Sequence, residues 1–297
     1  MKLLLDGQLM NSEEAVISVY DHGFLYGMGL FETFRTYGGK PWLLEWHAER
    51  LAEGCASLGI EYRPDLSHMK RSVERLIEAN GLQEQDAYIR WSVSAGNGAV
   101  GLPTEPYSKP REIVYAKPQA ADEPEARRGK ALRLLTLRRS EPEADARLKS
   151  FHYMNNILAK RELSAGGAEP GTEGLFLNTA GYIVEGMVSN VFWIRNDTLY
   201  TPSLACGPLA GITRRYVMGL AAEYGLSVEE GAYAWDELLL AEEVFVTSSI
   251  QEIVPVSRLE AADGGRLSGG TEEKPGKWTS KLMMEYRLAA RKGTIEA

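Results

Sequence analysis

Cysteine is nearly absent: a chain of 297 residues carries only Cys55 and Cys206. Neither has metal-ligand partners nearby in sequence, and two isolated thiols exclude a disulfide scaffold and point to a reducing compartment. Histidine is also sparse, and His22, His47, His68 and His152 show no ligand spacing, so structural or surface roles and no metal are expected. No apolar run approaches the roughly 18 residues of a membrane-spanning helix. The N-terminal Met1-Lys2-Leu3-Leu4-Leu5-Asp6-Gly7 breaks off too early for a signal peptide. Basic blocks are missing as well. Thirty-three Lys+Arg face 41 Asp+Glu, and the net charge of −8 denies the chain the electrostatic footprint for nucleic acid or an anionic membrane. Absent too are HExxH, a GxGxxG opening a helix after a strand, a Walker loop and GxSxG, which removes the mechanical parts of several enzyme classes. A cytoplasmic protein is the expectation.

What is present is an ordinary folding composition, 44% hydrophobic and 25% charged, in a length that suggests two domains at about 150 residues each. Asp6-Gly7 between short apolar runs signals a hairpin, and a second is expected from Leu30 to Leu44 around Gly38-Gly39. From Leu44 the period becomes helical, with Leu44, His47, Ala48, Leu51, Cys55 and Leu58 on one face and Gly59 as the stop. Asp65 caps a second helix carrying Met69, Val73, Leu76 and Ile77 inward. Strands follow at Tyr88 to Ser94 and Ile113 to Tyr115. A polar stretch with two prolines then reads as a linker. The expected divisions are an N-terminal α/β domain at 1–118, a linker at 119–130 and a C-terminal domain at 131–297. In the last, strands are expected at Leu132–Leu137, 174–177, 182–184, 190–194 and 244–246. Helices are expected from about Phe151 to Leu163, from Ile212 to Tyr224 and from Trp278 to Arg291.

Five features can carry chemistry, each with a plainer reading beside it. Lys149 is either a solvated lysine or, among Leu148, Phe151 and Tyr153, a partly desolvated nucleophile. Glu185 either ends a strand at the surface or faces a cation. Gly211-Ile212-Thr213 either simply opens a helix or offers backbone N–H groups and a hydroxyl to an anion. Thr247-Ser248-Ser249 is a turn or a further set of hydroxyls. Arg50, near the apolar face of the first helix, needs an anion if buried and otherwise snorkels.

The order and spacing of these residues resemble the fold-type IV pyridoxal 5′-phosphate enzymes of the class IV aminotransferase family. Within that group the chain is most similar to the aminodeoxychorismate lyases. The stretches that carry the resemblance are Asp21-His22-Gly23-Phe24-Leu25-Tyr26-Gly27-Met28-Gly29-Leu30-Phe31-Glu32-Thr33-Phe34-Arg35, Leu148-Lys149-Ser150 with Tyr153-Met154-Asn155-Asn156, Glu185-Gly186 with Ser189-Asn190-Val191-Phe192, and Gly211-Ile212-Thr213-Arg214-Arg215. It implies an α+β fold of two mixed domains, an N-terminal α/β sandwich and a larger β-barrel-like domain that anchors the cofactor, which lies between them. It implies pyridoxal 5′-phosphate as cofactor, a homodimer, and Lys149 as the catalytic residue that bears the cofactor and moves protons. Glu185 would pair with the ring nitrogen and Tyr153 with the ring 3-hydroxyl oxygen. Arg50, Ile212, Thr213, Ser248 and Ser249 would hold the phosphate, with Ser189 and Asn190 also at the cofactor. The implied reaction converts 4-amino-4-deoxychorismate to 4-aminobenzoate and pyruvate.

A dianionic substrate calls for cationic groups, and Arg90 on the strand from Tyr88 is the candidate, with Tyr26 and Phe31 lining the pocket. Met28 stands where many members of the family carry aspartate, and Ser94 to Gly101 lacks an arginine that some lyases have. A D-amino acid or branched-chain aminotransferase on the same fold, and a dimeric binding protein with a vestigial pocket, are the alternatives.

Overall fold

Asp6 and Gly7 reverse the chain at positive φ, 48° and 73°, the backbone that a two-residue hairpin turn requires. They join β1 (Lys2–Leu5) to β2 (Gln8–Asn11). The computed structural model describes residues 1–120, 122–142, 144–267 and 274–293. It divides into one unit of Met1–Ala121, Leu148–His152 and Ala290–Ala297 and another of Asp122–Arg147 and Tyr153–Ala289.

In the first unit α1 (His22–Tyr26), β3 (Gly29–Tyr37), β4 (Lys40–Pro41), α2 (Leu44–Ser57), α3 (Leu66–Ala79), β5 (Ala87–Ser94) and β6 (Arg111–Pro118) follow the hairpin. The sheet runs β2-β1-β6-β5-β3-β4, antiparallel throughout. As the helical period requires, α2 buries Leu44, His47, Ala48, Leu51 and Cys55, and α3 buries Met69, Val73, Leu76 and Ile77. Asp65 accepts from Ser67 N–H and His68 N–H at 2.7 and 3.1 Å, a cap contributing about 1 kcal/mol. Both helices pack on one sheet face with Leu30, Phe34, Ile89, Trp91, Val93 and Val114, each large side chain contributing roughly 1.5–3 kcal/mol. The strand period of two turns Phe31, Thr33, Tyr88, Arg90, Ser92, Tyr115 and Lys117 to the opposite face.

Leu148–His152 is extended and lies along the start of β3. Phe31 N–H donates to the Lys149 carbonyl at 2.9 Å, and Phe151 N–H to the Gly29 carbonyl at 3.0 Å. The helix expected from Phe151 therefore begins later, at Met154, because β3 has already engaged the backbone of residues 149 and 151. Gly29 is glycine for want of room: a Cβ built there would clash with the edge of the Phe151 ring.

The second unit contains β7 (Lys130–Leu134), α4 (Met154–Ala165), β8 (Glu173–Leu177), β9 (Ile183–Gly186), β10 (Asn190–Arg195), β11 (Thr198–Pro202), α5 (Ile212–Glu223), β12 (Ser227–Gly231), α6 (Asp236–Leu239), β13 (Glu243–Ser248), β14 (Glu252–Glu260), β15 (Arg266–Leu267) and α7 (Lys277–Lys292). Its sheet runs β12-β11-β10-β13-β14-β7-β8-β9, with β15 on β14. Parallel pairs at β11–β12, β14–β7 and β7–β8 make it mixed. The fold is α+β, as expected.

The sequence reading missed β11, β12 and β14. β12 has no buried alternation, and Pro255 inside β14 argues against a strand, yet Ile253, Val256 and Leu259 are fully buried there. β7 ends at Leu134, three residues before the expected boundary. In the polar stretch read as a linker, Arg127 is fixed to the Ile253 carbonyl at 2.6 Å and to the buried Glu252 at 3.2 Å.

Gly29→Ala is expected to cost about 1–3 kcal/mol by overpacking, measured by urea unfolding. With Phe151→Ala added, the two losses come out less than additive. Full additivity would show that the ring and the glycine do not share this contact.

Candidate active site

Strand period places Glu32 on the helix-facing side of β3, between Leu30 and Phe34, so a carboxylate enters the core and must find partners. α2 supplies them one turn apart. Arg50 donates from Nε to Oε1 at 2.8 Å and from Nη2 to Oε2 at 2.6 Å, and His47 Nδ1–H donates to Oε2 at 2.7 Å. Burial raises the Glu32 carboxyl, but Arg50 and His47 outweigh it and bring it down to about 2. Burial also lowers His47, against the pull of Glu32, so a neutral imidazole serves as the donor. The Arg50 guanidinium is thereby fixed at the surface of the unit, its side chain 17% exposed.

On the other sheet face Phe31 is buried, and two cations share its ring. The Arg90 guanidinium carbon lies 3.6 Å from the ring centroid and Lys149 Nζ lies 4.8 Å from it. Lys149 is half-buried. Beside this ring opens a cavity of about 440 Å³ lined by Tyr88, Arg90, Ser92, Tyr115, Lys117 and Phe151, with Asp21 and Ser94 also on its wall. Burial pushes the Tyr88 phenol up although Arg90 pulls it down, which leaves a protonated hydroxyl able to donate. Tyr26 is not among the lining residues; its hydroxyl accepts from Gly101 N–H at 2.8 Å.

In the second unit Glu185 is buried at the end of β9. Oε1 accepts from Arg139 Nε at 2.8 Å and lies 3.5 Å from Arg147 Nε, while Oε2 accepts from Leu209 N–H at 2.9 Å. A carboxylate has about four acceptor directions, so one more N–H can still be received. Asn190, opposite Thr247 in the β10–β13 ladder, donates to the Leu209 carbonyl at 2.9 Å and so ties the loop before α5.

Gly211 begins α5 without a side-chain cap, which leaves the first-turn N–H groups of Ile212 and Thr213 outside the helix ladder. Thr213 Oγ1 lies 3.3 Å from Ser249 Oγ, and Ser248 accepts from Gln251 N–H at 3.1 Å. Thr247 Oγ1 and Ser189 Oγ are buried with no hydrogen-bond partner. A phosphate, rich in acceptors, fits a helix start supplied with these hydroxyls, and a protonated ring nitrogen fits Glu185. Tyr153 is half-buried at the start of α4. Lys149 and Arg50 belong to the first unit, and Tyr153, Glu185, Thr213 and Ser249 to the second.

Sequence reading overlooked Glu32, Arg139, Arg147 and Lys117. Glu32 was recoverable, since alternation along β3 puts it on the same face as Leu30 and Phe34. Arg139 and Arg147 gave no such signal because they lie outside regular elements. Among the described residues no group of His, Cys, Asp and Glu could hold a metal ion, and no helix is long and apolar enough to cross a membrane.

Residues 29–259 match the amino-transferase class IV family. The aminodeoxychorismate lyase of Bacillus subtilis (strain 168) is 40% identical over 288 residues, 96% of this chain and 93% of that protein. Among solved structures, the 4-amino-4-deoxychorismate lyase from Pseudomonas aeruginosa superposes with a TM-score of 0.79 at 29% identity, covering 97% of this chain and 99% of that one. The T.th. branched-chain amino acid aminotransferase with pyridoxamine 5′-phosphate gives 0.85 at 27% identity, covering 99% and 95%.

Because the Glu32 carboxyl is depressed from 4.5 to about 2, the stability it contributes is complete above about pH 4.5 and is lost as pH falls toward 2. The linkage amounts to about 3 kcal/mol. Glu32→Gln is therefore expected to lose roughly that much in urea unfolding at pH 7, with the gap to wild type closing on acidification. A gap independent of pH would contradict the assignment.

Proposed function

The chain belongs to the class IV aminotransferase family, and on that premise we propose that it is a pyridoxal phosphate-dependent lyase converting 4-amino-4-deoxychorismate to 4-aminobenzoate and pyruvate. The observation that carries this reading is the shared Phe31 ring, which brings the amine of Lys149 and the guanidinium of Arg90 together, with Arg90 also on the wall of the adjoining cavity. An aromatic face attracts both cations and fixes them as neighbours without neutralising either. The similarity to the Bacillus subtilis lyase over most of both chains supports the choice of reaction.

When bound, pyridoxal phosphate supplies an electron sink for the carbon next to the substrate amine. Lys149 Nζ would hold the cofactor and, as general base, would take the proton from the ring carbon that carries the substrate amine. Loss of that proton drives cleavage of the C–O bond to the enolpyruvyl group. The six-membered ring becomes aromatic, and the enolpyruvate takes up a proton to become pyruvate. Glu185, oriented by Arg139 and the Leu209 N–H, would accept from the protonated ring nitrogen, and the Tyr153 hydroxyl would donate to the 3-hydroxyl oxygen. Arg50, Ile212, Thr213, Ser248 and Ser249 would hold the phosphate, with Ser189 and Asn190 also at the cofactor. Arg90 binds a substrate carboxylate.

The enzyme acts in the cytoplasm as a homodimer. Supporting the dimer, Val16, Ile17, Val19, Tyr20 and Phe24 leave a run of apolar side chains exposed on one segment, more than a solvated loop usually shows. Sedimentation at micromolar concentration is expected to give two chains per particle, and a monomer would overturn this.

Supplied with aminodeoxychorismate, the holoenzyme is expected to release 4-aminobenzoate and pyruvate in equal amounts. Transamination of D-alanine or leucine without that activity would make the aminotransferase reading correct. Lys149→Ala is expected to abolish turnover and the yellow colour of the bound cofactor.

A further inference from the structure

Lys117 faces the same cavity as Arg90, from the neighbouring strand. In the β5–β6 ladder Tyr88 is paired with Lys117 and Arg90 with Tyr115, so Arg90 and Lys117 occupy diagonal positions on one face, about 7–8 Å apart at the backbone. Lys117 Nζ stands 4.6 Å from the centroid of the Tyr88 ring, which separates the two cations. Among the described residues neither Arg90 nor Lys117 has a carboxylate within 4.0 Å. In a chain of net charge −8, two adjacent cations without a carboxylate partner are an unusual arrangement. Like charges on diagonal neighbours repel, and an anion bound between them relieves that repulsion.

The cavity wall is mostly apolar, with Ile17, Phe24, Ile113 and Phe151 on it, and its polar groups lie toward two ends. At the Ser94 end Asp21 is completely buried; its Oδ1 accepts from Ser94 Oγ and from Gly23 N–H, and its Oδ2 has no hydrogen-bond partner. That end repels carboxylates, while the Tyr88–Lys117 end attracts them. Ser92, on the cavity wall between the two ends, is paired in the ladder with Phe31, whose ring Lys149 approaches.

We infer that Lys117 is a second carboxylate anchor: Arg90 and Lys117 bind the two carboxylates of one dianionic substrate, with the Tyr88 hydroxyl donating between them. The inference rests on the lyase reading and deepens it, since a monocarboxylate amino acid would use only one of the two cations. Lys117 makes no contact with the reacting carbon and acts in binding and orientation.

The test compares the wild-type holoenzyme with Lys117→Met and Lys117→Arg. Lys117 is exposed, so neither substitution disturbs the core, and bound-cofactor absorbance checks that the site is intact. Lys117→Met is expected to raise KM for aminodeoxychorismate about tenfold, the scale of one charged hydrogen bond, with a smaller effect on kcat, and Lys117→Arg to restore most of it. In parallel, a cyclohexadiene dicarboxylate with hydroxyl in place of the amine is titrated by calorimetry, and Lys117→Met should weaken its binding by a similar factor. Unchanged KM and unchanged dicarboxylate affinity overturn the inference while leaving the lyase reading intact. If the wild type releases no 4-aminobenzoate, the lyase reading falls, and the dicarboxylate titration alone decides the role of Lys117.

Discussion

Two backbone hydrogen bonds determine where the amine of Lys149 stands. Phe31 N–H to the Lys149 carbonyl and Phe151 N–H to the Gly29 carbonyl turn a segment distant in sequence into a short extension of the first sheet. The side chain is thereby delivered to the face opposite the helices, where Phe31 holds both it and Arg90. Each bond contributes only about 0.5–1.5 kcal/mol to stability. For the proposed role of Lys149 their importance is geometric, because a catalytic amine displaced by about an ångström can lose most of its effect. Gly29 belongs to the same device, since any side chain there would push Phe151 and the Lys149 segment away.

The two faces of that sheet divide the labour. Toward the helices lies an apolar core with one buried carboxylate, Glu32, neutralised by Arg50 and hydrogen-bonded by His47. Away from them lies a surface of Tyr88, Arg90, Ser92 and Lys117 whose two cations have no carboxylate partner among the described residues. An acidic chain can still carry a local positive potential, because potential depends on which charged side chains stand close together and only weakly on the net charge.

The fold was legible where one face of an element is buried. The Asp6-Gly7 hairpin, α2 with Leu44, His47, Ala48, Leu51 and Cys55 inward, and α3 with its Asp65 cap all follow from period and capping. Legibility failed where tertiary pairing overrode local preference. Residues 151–153 continue an apolar pattern that suits a helix, but β3 holds residues 149–151 extended. β14 passes through Pro255 with Ile253, Val256 and Leu259 fully buried about it. At the candidate site the same rule holds. Lys149, Glu185 and Thr213 could be singled out by type and position and gained roles from the family resemblance. Arg139, Arg147 and Lys117 become visible only through what stands next to them.

The central claim is that Lys149 is the amine to which the cofactor is joined. The most direct measurement is borohydride reduction of the protein loaded with pyridoxal phosphate, followed by peptide mapping. The phosphopyridoxyl group is expected on the peptide containing Lys149. Its appearance on another lysine, or on none, would contradict the account.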